Sequence, residues 1–110
     1  MLTKEKLKEL LDSLKICVNE GIQNDRNAKL FPRLVYFENE WSSVLSSGDE
    51  YQSTVTYQVS FFSKIPRHPK LLELKNKLAD EGLYIPIFHE YIESEQMIHS
   101  TFVLTVFEDL

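Results

Sequence analysis

The chain has 110 residues, of which 43% are hydrophobic and 26% charged, and a formal net charge of −5. Those figures fit one globular domain, residues 1–110, large enough to bury a core without disulfides or metal. They argue against a dedicated nucleic-acid binder, which carries a basic stripe, and the lone Cys17 excludes an internal disulfide framework or a cysteine-only metal cluster. A single cysteine suits a reducing compartment. No apolar run approaches the roughly 20 residues of a membrane helix. The opening MLTKEKLKELLDSLK is charged throughout and lacks the apolar segment of a signal peptide. The expectation is a protein made and kept in the cytoplasm at first, with no membrane partner.

In chain order, residues 3–23 read as an amphipathic helix. Leu7, Leu10, Leu11, Leu14 and Val18 fall at helical spacing, and Cys17 and Ile22 widen the stripe. Thr3 is the expected N-cap, and Gly21 and Asn24 suit the helix end. The charges from Lys4 to Lys15 read as a solvated face. A polar connection leads to Pro32. RLVYFENEW, residues 33–41, is apolar on both faces and rich in β-branched and aromatic residues, so it reads as a short strand. SSVLSSGDEYQS, residues 42–53, has the composition of a long loop. Next comes STVTYQVSFFSKIP. Its Val55, Tyr57, Val59 and Phe61 alternate with polar residues as in a strand with one buried face.

Pro66 and Pro69 introduce a second helix, with Pro69 in its first turn, Leu71, Leu74 and Leu78 as its stripe, and Gly82 at its end. Residues 84–93 form a strand whose Pro86 belongs at a sheet edge. Residues 94–96 make a turn, and MIHSTFVLTVFE, residues 97–108, is the last strand, with Ile98, Phe102, Leu104 and Val106 on one face. The predicted fold class is therefore α+β. It is a two-layer sandwich in the order α-β-β-α-β-β, with two helices packed on one face of a mainly antiparallel four-stranded sheet. Phe62, Val103, Phe107 and Ile92 then point away from the core, where a monomer normally keeps its sheet polar.

The sequence offers little chemistry. His68, His89 and His99 lack any metal-ligand spacing, although a tight turn could bring His89 and His99 together on adjacent strands near Glu90 and Glu93. Cross-strand packing is the ordinary explanation. Cys17 among leucines reads as a small buried hydrophobe. No nucleophile elbow, phosphate-binding loop or selected carboxylate pair is present. Lys64, Arg67, Lys70, Lys75 and Lys77 cluster around the second helix, partly offset by Glu73, Asp80 and Glu81. The expectation is no enzyme, no cofactor, no catalytic residue and no metal site.

The segments LVYFENEW, YQVSFFSK, LKNKLADEGLY and HSTFVLTVFE, in that order over residues 3–108, resemble the tail-terminator or tail-completion proteins of long-tailed, siphovirus-type bacteriophages. These are small neck proteins similar in architecture to the lambda tail terminator. The resemblance rests on order and length, because the family has no invariant motif, and it carries over no catalytic residue. It implies a structural virion protein of the phage neck and tail: a ring, expected to be a hexamer, that caps the tail tube and ends its polymerisation. The ring would also present the head-attachment surface. Its partners would be further copies of itself, the tail-tube protein and a head-completion or connector protein, with DNA passing through the lumen without specific binding. Localisation would be the virion tail, after assembly in the host cytoplasm. For a ring of heterologous contacts, the interface candidates are Trp41, Val44, Leu45 and Tyr51 in or beside the hairpin loop, and Phe62, Val103 and Phe107 on the outer sheet face. Trp41 could equally cap the core at its strand end. Two other readings are a small non-catalytic α+β interaction or ligand-binding module, and a head-completion protein of the same neck region.

Overall fold

The computed structural model describes residues 2–21, 31–45 and 51–108, with Val44, Leu45, Tyr51 and Gln52 described in their backbone alone. Among the described residues the helices and strands follow one another as α1 (Lys4–Asp12), β1 (Cys17–Glu20), β2 (Arg33–Leu45), β3 (Tyr51–Ser63), α2 (Pro69–Asp80), β4 (Phe88–Ile92) and β5 (Met97–Phe107), with a 3-10 turn, Glu93–Glu95, between the last two. Among the described residues the strands form one five-stranded sheet in the order β1-β2-β3-β5-β4. β1 runs parallel to β2, and the other pairs are antiparallel. No helix among the described residues is long and apolar enough to cross a membrane.

The period-two pattern of β3 sets the core. Val55, Tyr57, Val59 and Phe61 are fully buried. They sit opposite Trp41, Glu38, Tyr36 and Leu34 of β2 and opposite Val106, Leu104, Phe102 and Ser100 of β5. Leu7, Leu10 and Leu11 of α1 and Leu71, Leu74 and Leu78 of α2 join the same buried cluster. Both helices thus cover one face of the sheet, as the two-layer reading expects.

The helix ends follow local chemistry. Thr3 caps α1, its Oγ1 accepting from the Lys6 amide at 3.2 Å. His68 caps α2 by accepting from the Lys70 amide at Nδ1, 3.0 Å, and its ring packs against Phe61. Pro69 occupies the first turn. Gly82, at φ +79°, lets Leu83 N–H donate to the Leu78 carbonyl and Gly82 N–H to that of Ala79, both at 2.9 Å. This paired closure satisfies carbonyls that the helix leaves open.

Three expectations need correction. The predicted 3–23 helix stops at Asp12, and β1 takes its second half, so the sheet has five strands with one parallel pair where four were expected. The cause is an ambiguity of period. Leu14 fits the helical stripe of Leu7, Leu10 and Leu11, but Leu14, Ile16 and Val18 also alternate, and all three pack on the core. Leu14 and Lys15 amides donate three residues back, to Leu11 and Asp12 carbonyls, both at 3.2 Å, and Lys15 then turns left-handed at φ 60°, which ends the helix. Cys17 is therefore half-buried in a strand rather than sunk in a helix, and Gly21 ends β1 by donating to the Tyr36 carbonyl at 2.8 Å.

The second correction concerns the hairpin. Residues 42–45 and 51–53, read as loop from their serines, continue the ladder from Ser42 opposite Thr54 to Leu45 opposite Tyr51. Backbone pairing along the whole hairpin overrides the turn-like composition. Third, β4 begins at Phe88 rather than Tyr84, after Pro86, and lies at the sheet edge. Ile22, Asn24, Ser46, Ser47, Asp49, Glu50 and Asp109 lie outside the described residues.

Truncating the centre of this core has a large expected effect. Phe61→Ala should cost about 3–5 kcal/mol, read as a shift of the urea midpoint with little change in slope.

Candidate functional site

The outer face of the sheet is organised as rows across four strands. In one row Arg33 of β2 faces Phe62 of β3, Phe62 faces His99 of β5, and His99 faces Glu90 of β4. The Phe62 and His99 rings stack at 4.7 Å, only 8° from parallel. The Arg33 guanidinium lies 4.4 Å from the Phe62 ring centre and 4.5 Å from that of Phe31. Arg33 is 4% exposed, a level reached by few arginines, and its stacking partners account for much of that burial. His99 Nε2 shares a hydrogen bond with Ser60 Oγ at 2.9 Å. Phe62 is thus half-buried and covered by its own chain, so this candidate contact residue is largely spent on intramolecular stacking.

Beyond that row the face turns apolar and open. Phe37 of β2 and Val103 of β5 flank Gln58, and Val103 is 49% exposed. Phe88 of β4, opposite Thr101, is 68% exposed. Phe107, the remaining outward candidate, is half-buried, and its amide donates to the Leu2 carbonyl at 3.0 Å. Phe37 and Phe88 were missed by the sequence reading. The signal was available, since Phe37 has the parity of Arg33 and Val35 along β2.

The β2–β3 hairpin forms an arm of a molecule measuring 52 × 28 × 23 Å. β1 pairs with β2 only at residues 33–36, so the rest of that edge has no strand beside it among the described residues. A register shift between Glu38 and Glu40 leaves Asn39 as the extra residue. The bulge puts Glu38 and Trp41 on one face, where Trp41 Nε1 donates to Glu38 Oε2 at 2.8 Å. Trp41 is 65% exposed and does not cap the core. Val44, Leu45 and Tyr51 lie on paired backbone further along the arm, with side chains outside the described set.

The histidines do not converge. His89 pairs with Ser100, and His99 with Glu90, which places His89 and His99 on opposite faces of the sheet. His89 Nδ1 shares a 2.7 Å hydrogen bond with Ser100 Oγ, but Ser100 is buried and not presented to a substrate. A cavity of about 570 Å³ opens beside them, lined also by Ser63, Arg67, Leu71 and Tyr91. Among the described residues no group of three or more His, Cys, Asp or Glu side chains is arranged to hold a metal ion. In the basic cluster, Lys70 pairs with Glu73 at 3.6 Å, which offsets part of its charge.

A polar knot on the helix side joins five segments. Lys4 Nζ donates to Glu20 and, at 2.9 Å, to Tyr57 Oη. Tyr57 O–H donates to Glu108 Oε2 at 2.9 Å, and Tyr36 O–H to Glu20 Oε1 at 3.4 Å. Burial alone would lower the Lys4 pKa, but the bonds to Glu20 and Tyr57 outweigh it, so the net shift is upward. Burial, aided by Glu108 and opposed by Lys4, pushes the Tyr57 hydroxyl up to about 12.

Two pH effects follow. Groups whose folded pKa is raised contribute stability in full below their unfolded value and lose it as pH rises through the folded one. The melting temperature should therefore fall above about pH 10, and Tyr57→Phe, which removes the bridging hydroxyl, should cost about 1.5–3 kcal/mol at neutral pH. On the acid side, burial lowers the His99 pKa, with Glu90 opposing. A depressed pKa contributes stability above the unfolded value that is lost as pH falls. A melting-temperature profile should decline below about pH 6.5, and His99→Phe should flatten that part of it.

No family model matches the chain, and no curated protein matches it. Among solved structures, the fold is similar to that of a chain in the virion of a native gene transfer agent (GTA) particle. The TM-score is 0.50 at 10% identity, over 89% of this chain and 82% of that one. At that identity the likeness is one of fold.

Proposed function

We propose that this chain is a non-catalytic structural protein of a virion, and more narrowly a tail terminator of the phage neck. It would assemble as a ring, expected to be hexameric, that caps the tail tube, stops its polymerisation and offers the head-attachment surface. The observation that carries the reading is the fold shared with a virion chain over 89% of this one. Exposed Trp41, Val103, Phe37 and Phe88 supply what assembly contacts require, large apolar side chains outside the core. The neighbouring partners would be the tail-tube protein and a head-completion or connector protein. An acidic chain suits a lumen that DNA crosses without specific binding. The protein would reside in the virion tail after assembly in the host cytoplasm. A head-completion role in the same neck region is the within-class alternative.

A second reading, a ligand-binding module, is favoured by the cavity of about 570 Å³ beside His89, which is within the size range of small-molecule sites.

Electron microscopy of the purified protein mixed with tail tubes distinguishes them. Rings at one end of each tube, and tubes that no longer lengthen, are the expected result. A strict monomer in sedimentation that leaves tube ends bare, together with a small molecule that raises the melting temperature, would favour the module.

A further inference from the structure

The helix layer carries a second open surface, and its chemistry complements the hairpin arm. Between the C-terminal half of α2 and the segment leading into β4 lies a mainly apolar groove of about 250 Å³, lined by Ala79, Leu83, Tyr84, Ile85 and Ile87 with Lys75 at its rim. That volume falls short of the roughly 300–1,000 Å³ usual for small-molecule sites and suits one large side chain. Tyr84 is 84% exposed. Lys75 is exposed and makes no ion pair among the described residues.

On the arm, Trp41 is a projecting aromatic whose N–H is already bonded to Glu38. It can enter an apolar groove without leaving an orphaned donor. Glu38 and Glu40 beside it are exposed and acidic, opposite in sign to Lys75.

The sheet order places the two surfaces at opposite ends. β2 lies one strand from one edge, and the groove borders the approach to β4 at the other. Contact between unlike surfaces of successive copies is the head-to-tail kind that closes rings. We infer that the groove between α2 and β4 receives Trp41 of a second copy of this chain, with Glu38 of the arriving arm paired to Lys75. The inference rests on the ring reading and specifies the contact from which the ring is built.

The test uses the full chain and exposed positions, so folding should be unaffected, as circular dichroism would check. Trp41→Ala should weaken self-association by roughly 30-fold or more. Glu38→Gln, which keeps an acceptor for the Trp41 N–H, and Lys75→Gln should each weaken it, and the double variant should be no weaker than either single one, as for two groups that lose the same pairing. In a Cys17→Ser background, a chain that keeps Trp41 and carries both Glu40→Cys and Tyr84→Cys should give a ladder of disulfide-linked oligomers on mild oxidation. Rings on tail tubes that survive all these single changes, with no cross-linked ladder, would overturn the groove assignment and leave the ring reading standing. Lys75→Gln that self-associates normally but no longer attaches to tubes would give the groove to a different partner and overturn the inference. A wild-type chain that is monomeric and leaves tube ends bare would overturn both.

Discussion

The two-sided pairing of β3 is the constraint on which the rest of the structure depends. β3 bonds to β2 along one edge and β5 along the other, so its backbone groups are satisfied on both sides and its register is pinned twice. A slip of one residue would turn Val55, Tyr57, Val59 and Phe61 outwards and put Thr56, Gln58 and Ser60 beneath the helices. Both helices, β2 and β5 contribute apolar side chains to that inner face. The polar knot is anchored there too, because Tyr57 carries the hydroxyl that links Lys4 to Glu108. One strand therefore aligns the hydrophobic core with an extended hydrogen-bond network on the helix side.

The same parity makes the outer face unusual. Its first row is closed by stacking of Arg33, Phe62 and His99, while the adjoining positions hold exposed Phe37, Val103 and Phe88. A sheet exposed on one side commonly carries polar residues there. Here aromatic and aliphatic side chains stand at the surface, and on the opposite face of the arm, across from Val55, Trp41 is exposed as well. The arm gains its stiffness from continuous strand pairing out to Leu45 and Tyr51 and its aim from the bulge at Asn39. Under the proposed assembly, a stiff arm reaching a neighbour keeps its ordering cost low, since its backbone is set before contact.

Much of this architecture was legible in the residues. The alternation in β3 and β5 and the leucine spacing of α2 are strong periodic signals. So are Thr3 and Pro69 at helix starts and Gly82 at a helix end, each tied to a specific backbone requirement. The candidate contact positions were legible to a lesser degree. Trp41 and Val103 are exposed, whereas Phe62 is covered by Arg33, a partner 29 positions earlier that no local pattern indicates. Phe37 could have been found from the parity of β2, whereas the exposure of Phe88 depends on which strand flanks β4.

By itself, the sequence determined the α+β class, the buried face of β3, the position of α2 and the absence of any recognisable catalytic motif, because each rests on period or on local backbone chemistry. Tertiary structure alone decided the rest. It turned residues 17–20 into a parallel edge strand, since Leu14, Ile16 and Val18 satisfy two periods and only packing beside β2 selects one. It extended the hairpin through a serine-rich stretch by backbone pairing. It separated His89 on β4 from His99 on β5, because the register sets His89 opposite Ser100, and His99 next to Ser100 faces the other way. Contacts between segments far apart in the chain carry that information, and local composition does not encode them.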